Sequence, residues 1–279
     1  MEYEFDTLRI DIEGSVLTAT INNPPVNVMT IPLYMDLVNF TARVEKDDRI
    51  KVVVFDSADP DFFIAHFDVE AILQFPIDDP AEKTAEMSDF HLMCERVRSM
   101  PKATIVKMAG RAGGGGNEFA SSCDMRYGVR GKTTINQMEV ALGILPGGTG
   151  TQRLPRLVGR GRALEICLGS DDIDAETAES WGYLNRIFDT RLELDHFVDG
   201  LAKRISVWPA EAIALCKASI NNAEMPWESG LLEEAYLFQM TLRTNGAQEN
   251  MRKAMAMGLQ TRDGELRMGE LCREFGEAE

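Results

Sequence analysis

Glu118 closes an unbroken glycine run, Gly113-Gly114-Gly115-Gly116-Asn117-Glu118, and Glu139 leads into a second glycine-rich stretch, Gly143-Ile144-Leu145-Pro146-Gly147-Gly148. A run without Cβ atoms lets backbone N–H groups approach a ligand closely. Two carboxylates beside such donors could move protons at a carbonyl compound while the donors hold its negative charge. Addition of water to a conjugated thioester is chemistry of this kind.

The elements that must position these residues are partly readable. Leu8, Ile10 and Ile12 alternate with polar residues, Glu13-Gly14 turns the chain, and Val16 to Ile21 runs extended, which predicts a hairpin. Thr30 can cap a helix with Pro32 in its first turn, and Leu33, Leu37, Phe40 and Val44 then share one face. Val52-Val53-Val54-Phe55 reads as a strand covered on both faces, followed by a turn-rich loop over 56–68 and a helical stretch over 69–73. A long helix is predicted over 81–100, ended by Pro101. Thr104-Ile105-Val106 is a second buried strand that runs into Ala109-Gly110 and the glycine run, so a ligand belongs at its carboxyl end. Further short strands are expected at 125–127, 133–135 and 184–188, and helices at 174–181, 193–206, 209–222 and 229–258. The organisation is an α/β core over roughly the first two thirds, then a helical C-terminal part.

The glycine run has competing readings. A Walker loop would end in Gly-Lys-Ser/Thr, whereas this run ends in Gly116-Asn117-Glu118. A dinucleotide fingerprint would open the first βαβ unit, and this run lies mid-chain. No Gly-x-Ser-x-Gly elbow occurs. A plain glycine turn that lets a helix pack against a sheet stays open, as do a charge in a helix first turn for Glu118 and a surface charge for Glu139.

Composition narrows the partners. With 279 residues and 44 % apolar content the chain can build a real core. A formal net charge of −16 disfavours nucleic acid and anionic membranes, which call for basic patches. Cys94, Cys123, Cys167, Cys216 and Cys272 are odd in number and form no Cys-x-x-Cys pair, so buried free thiols in a reducing compartment are expected. The acidic N-terminus has no apolar signal region, and no stretch is long and apolar enough to span a bilayer; the expectation is a soluble cytoplasmic protein.

Three segments, taken together, carry a family resemblance. The stretch from Ala109 to Asp124, AGRAGGGGNEFASSCD, and the stretch from Glu139 to Leu154, EVALGILPGGTGTQRL, resemble the central motifs of the enoyl-CoA hydratase/isomerase (crotonase) superfamily. Upstream, Phe62-Phe63-Ile64-Ala65-His66-Phe67-Asp68 stands where that family has its acyl-CoA loop. Order and spacing agree, and the similarity covers roughly residues 5 to 220.

The resemblance implies a crotonase fold, an α/β spiral of ββα units, with residues 1–205 as core and 206–279 as a helical oligomerisation region. It implies an enoyl-CoA hydratase in which the backbone N–H groups of Phe67 and Gly115 hold the thioester oxygen and Glu118 and Glu139 hold a water. Ala65, Phe67, Asp68, Gly114 and Gly115 would contact the substrate. Another crotonase reaction (isomerisation, thioester hydrolysis or decarboxylation) and a non-catalytic acyl-CoA binder are the alternatives. Neither a metal nor a resident cofactor is implied, and a homotrimer or dimer of trimers is expected.

Two departures stand out. The upstream loop reads Ala65-His66-Phe67-Asp68 and then Glu70, where the family has small residues and often a following lysine. At the C-terminus, Met255-Ala256-Met257-Gly258-Leu259-Gln260-Thr261-Arg262-Asp263 replaces a basic helix. His66 is read as a loop or wall residue; His91 and His196 are read as structural.

Overall fold

The computed structural model describes residues 3–75, 85–224, 227–258 and 260. In chain order the elements are β1 (Leu8–Glu13), β2 (Val16–Ile21), α1 (Ile31–Val44), β3 (Val52–Ser57), β4 (Phe62–Ile64), α2 (Val69–Ile72), α3 (Asp89–Ser99), β5 (Ala103–Met108), β6 (Arg111–Gly113), α4 (Gly114–Ser122), β7 (Met125–Val129) and β8 (Thr134–Asn136). They continue with α5 (Gly150–Val158), α6 (Arg160–Gly169), β9 (Ile173–Asp174), α7 (Ala175–Ser180), β10 (Arg186–Phe188), α8 (Arg191–Ser206), α9 (Ala210–Asn221), α10 (Trp227–Leu242) and α11 (Asn245–Ala256).

The strands form two sheets, ordered β1-β2-β3-β5-β7-β10 and β4-β6-β8-β9. Each pass of the chain gives one strand to each sheet: β3 then β4, β5 then β6, β7 then β8. Within both sheets those successive strands are parallel neighbours. The result is a spiral whose repeat is two strands and their connecting segment. β3 shows why its sequence is continuously apolar: Val53 and Phe55 enter one core cluster, while Val52 and Val54 enter a second beneath Leu194, Val198 and Ala202 of α8.

Several expectations shift. The predicted helix over 81–100 starts only at Asp89, because the Ser88 hydroxyl accepts the His91 N–H (3.2 Å) and caps it there; 81–84 lie outside the described residues. The predicted 229–258 helix is two helices, since Thr244 caps a new one by accepting from Ala247 N at 3.2 Å. Of the four described cysteines Cys94, Cys123 and Cys167 are buried free thiols, whereas Cys216 on α9 is exposed in the single chain. No described helix is long and apolar enough to cross a membrane.

Candidate active site

Three adjacent parallel strands, β4, β6 and β8, bring the motif segments together. Their register, Phe62 beside Arg111 beside Thr134, ends all three at one level. Out of their carboxyl ends come the Ala65–Asp68 segment, the start of α4 and the Gln137–Glu139 segment, side by side. Segments far apart in sequence thus meet at a sheet edge where α/β folds present ligand sites.

α4 begins inside the glycine run with Gly113 as its N-cap, and no side chain caps it. The N–H groups of its first turn have no carbonyl within the helix to reach. Gly114 has φ +46°, and a Cβ there would lie 2.8 Å from Glu139 Oε1. Only glycine gives both that conformation and that clearance. Across from Gly115 stands Phe67, whose Cβ would be 3.0 Å and whose backbone nitrogen 3.6 Å from a Cβ on Gly115. The residues flanking Phe67 pair with Met29: His66 O accepts from Met29 N at 2.8 Å, and Asp68 N donates to Met29 O at 3.1 Å. Alternation along an extended backbone therefore turns the Phe67 N–H to the other edge.

Glu118 lies in the second turn of α4, not the first, and is 3 % exposed. Its Oε1 accepts the N–H groups of Gly148 and Gly150, both at 2.8 Å. The residue between them, Thr149, takes φ +128°, an unusual conformation for a side-chain-bearing residue, and this turns the 148–150 backbone toward the carboxylate. His91 of α3 anchors the same loop through its Nε2, 2.8 Å from Gly147 O. Burial pushes the Glu118 carboxyl up to about 7, helped by the neighbouring Glu139 and opposed by the loop N–H groups.

Glu139 is not a surface charge; it is 9 % exposed. Gln137 Nε2 donates to its Oε2 at 3.1 Å. Burial raises the Glu139 carboxyl too, opposed by its own backbone N–H, by Gln137 and by His66. The Glu139 charge in turn adds to the upward push on Glu118.

One wall of this region is aromatic. Phe67 meets Tyr34 and Phe90 edge-on at 5.9 and 6.0 Å between ring centroids, and Tyr34 stacks on Phe90 at 5.9 Å. The Phe90 ring lies against Gly148, where a Cβ would come within 2.6 Å of the ring and 2.4 Å of Glu118 Oε2. Thus Phe90 and Glu118 border the same space. Ala65 is buried, its carbonyl 2.5 Å from a Cβ on Gly113. Asp68 serves the local backbone: its carboxylate caps α2, accepting from Glu70 N at 2.9 Å and Ala71 N at 3.4 Å.

The enoyl-CoA hydratase/isomerase family model matches residues 11–265. This chain belongs to the enoyl-CoA hydratase/isomerase family. A short-chain-enoyl-CoA hydratase of Clostridium acetobutylicum is 30 % identical over 223 residues, 78 % of this chain and 82 % of that protein. The solved enoyl-CoA hydratase of Geobacillus kaustophilus superposes with a TM-score of 0.83 at 27 % identity, covering 91 % of this chain and 95 % of that one. The Bacillus anthracis enoyl-CoA hydratase gives a TM-score of 0.80 at 25 % identity, over 88 % and 95 % of the two chains. The two-sheet spiral is the crotonase fold, and the protein is an enzyme of that superfamily.

Of the residues expected to form the site, Ala65, Phe67, Gly114, Gly115, Glu118 and Glu139 lie on the segments that leave the carboxyl ends of β4, β6 and β8, whereas the Asp68 carboxylate caps its own helix. No cluster of described residues has the composition to hold a metal ion. Sequence reasoning passed over Gln137, Tyr34 and Phe90. Gln137 had a signal: it stands two residues before Glu139, just past a short strand, near enough along the chain for the two side chains to meet. The two aromatic residues had none, since their relevance comes from contacts across the fold.

Proposed function

We propose that the protein is an enoyl-CoA hydratase, adding water syn across the double bond of a 2-trans-enoyl-CoA to give the 3-hydroxyacyl-CoA. The observation that carries this reading is the pair of buried carboxylates, Glu118 and Glu139, set beside the Phe67 and Gly115 backbone donors. A water between the carboxylates would attack C3 while Glu118 takes its proton. Charge then developing on the thioester oxygen is held by the two N–H groups, and Glu139 gives its proton to C2. The pair starts and ends with one proton, so the step balances. A backbone donor aimed at a developing enolate contributes roughly 3 kcal/mol. Both carboxylates being present and buried favours hydration over the other reactions of the superfamily.

The chemistry is acid–base only and calls for no resident cofactor; CoA arrives as part of the substrate. Phe67 and its aromatic neighbours would narrow the space near the thioester. Free buried thiols support a reducing, cytoplasmic setting. Residues 206–279 are assigned to assembly as a homotrimer or dimer of trimers. The deciding measurement is hydration of crotonyl-CoA, followed by loss of enoyl absorbance, with Glu118→Gln and Glu139→Gln. Each variant is expected to lose at least about a hundredfold in kcat. Near wild-type turnover by either would end the two-carboxylate mechanism.

A further inference from the structure

Behind Glu139 runs a line of buried polar side chains drawn from three separate parts of the chain. Gln137, which donates to Glu139, accepts from Asn117 Nδ2 on its Oε1 at 2.6 Å. Asn117 in turn accepts the Tyr183 hydroxyl on its Oδ1. Tyr183, Asn117 and Gln137 are each fully buried. Tyr183 follows α7, Asn117 precedes Glu118 on α4, and Gln137 follows β8.

A carboxamide has a donor end and an acceptor end, so each member of such a line sets the orientation of the next. Two directions exist. In one, the tyrosine donates, each amide points its oxygen back along the line, and an N–H arrives at Glu139. In the other, every bond reverses and Gln137 turns its oxygen toward Glu139. That second direction suits only a protonated Glu139, because a carboxylate and an amide oxygen repel. It also leaves the phenol proton needing another acceptor in a fully buried place, and buried donors without partners are costly. Burial keeps the phenol protonated by raising its ionisation well beyond the usual tyrosine range. Arg126 holds the ring, with its guanidinium 5.1 Å from the ring centre and its Nε donating to Tyr183 O at 2.8 Å.

We propose that Tyr183, Asn117 and Gln137 are positioning residues that hold one N–H on Glu139 and so favour its ionised form. The Tyr183 hydroxyl selects the direction. The relay's consequence for turnover rests on the hydratase reading above: a carboxyl that gives its proton to C2 is a better donor when its anion is already provided with a hydrogen bond. The titratable groups facing Glu139 are Glu118 from α4, His66 from the segment after β4 and Cys167 from α6; Cys123 and Arg126 face Tyr183.

The test removes the donor end while keeping the volume. Tyr183→Phe, and separately Gln137→Met, are made in the full chain and again on a Glu118→Gln background, where the pair no longer shares a proton. The Glu139 titration midpoint is read by carboxyl NMR of ¹³C-glutamate-labelled protein without substrate. An upward move of about one pH unit is expected for Gln137→Met and about half that for Tyr183→Phe. With crotonyl-CoA, kcat should fall about tenfold or less in Tyr183→Phe and more in Gln137→Met, with KM unchanged, since neither side chain is assigned to substrate. Unmoved midpoints in folded variants would overturn the relay, because a purely structural tyrosine changes stability and not the Glu139 titration. If the wild type does not hydrate enoyl-CoA, the proposed reaction fails, while the titration still decides the relay.

Discussion

Glu118 shows how burial and hydrogen bonding compete at a single residue. Two loop N–H groups stabilise its anion, yet burial and Glu139 together leave its carboxyl raised from 4.5 to about 7. The stability consequence has a definite sign. Below about pH 4.5 the group is protonated whether folded or unfolded, and it contributes nothing. Between that value and about 7 the unfolded chain loses the proton while the folded chain keeps it, so stability falls as pH rises. The total is on the order of a few kcal/mol and is complete above about pH 7. Glu118→Gln removes this dependence. Urea unfolding should show the variant gaining on the wild type between about pH 4.5 and about pH 8; an equal difference at both pH values would contradict the assignment.

At the scale of elements, the site is made by where β4, β6 and β8 stop. The start of α4 must slide beneath the end of β4, and glycine permits it: a Cβ on Gly116 would meet the Ile64 carbonyl oxygen at 2.4 Å. Backbone cannot swing aside as a flexible side chain does. Gly116→Ala is therefore expected to cost about 3 kcal/mol or to prevent folding, read as a drop in Tm. A variant within about 0.5 kcal/mol of wild type would mean that the two segments are not locked together. The three-residue strands β4 and β6 were not legible in the sequence. β4 falls inside the stretch read as a turn-rich loop over 56–68, and Gly113 and Arg111 of β6 carry no strand preference, whereas the equally short β8 was expected at 133–135. The hairpin, α1 and β3 were legible because each repeats its pattern over a longer stretch.

At the scale of the whole molecule, the C-terminal helices leave much apolar surface uncovered in the single chain. α9 has no buried residue, and Ile220 is 68 % exposed; Leu232, Tyr236 and Phe238 on α10 are also open. α9 is still fixed to its own core, since Lys217 pairs with Asp124 at 2.9 Å and donates to the Lys102 carbonyl. Open apolar side chains on α10, which packs beside the anchored α9, support the proposed assembly. Sedimentation equilibrium should give three or six times the mass of one chain, and a monomer at micromolar concentration would remove the basis for that proposal.

The sequence by itself determined the elements with long periodic patterns, the family, and the motif positions of Glu118 and Glu139. Such information is local: spacing along a helix or strand, a cap, a glycine where a Cβ cannot fit. Tertiary structure alone decided that Glu139 is buried, that Thr149 turns the loop toward Glu118, that Phe90 borders the same space, and that Tyr183 reaches Asn117. Each of these depends on how separate elements pack against one another. No spacing in the chain encodes a contact between a helix and a turn 66 residues away.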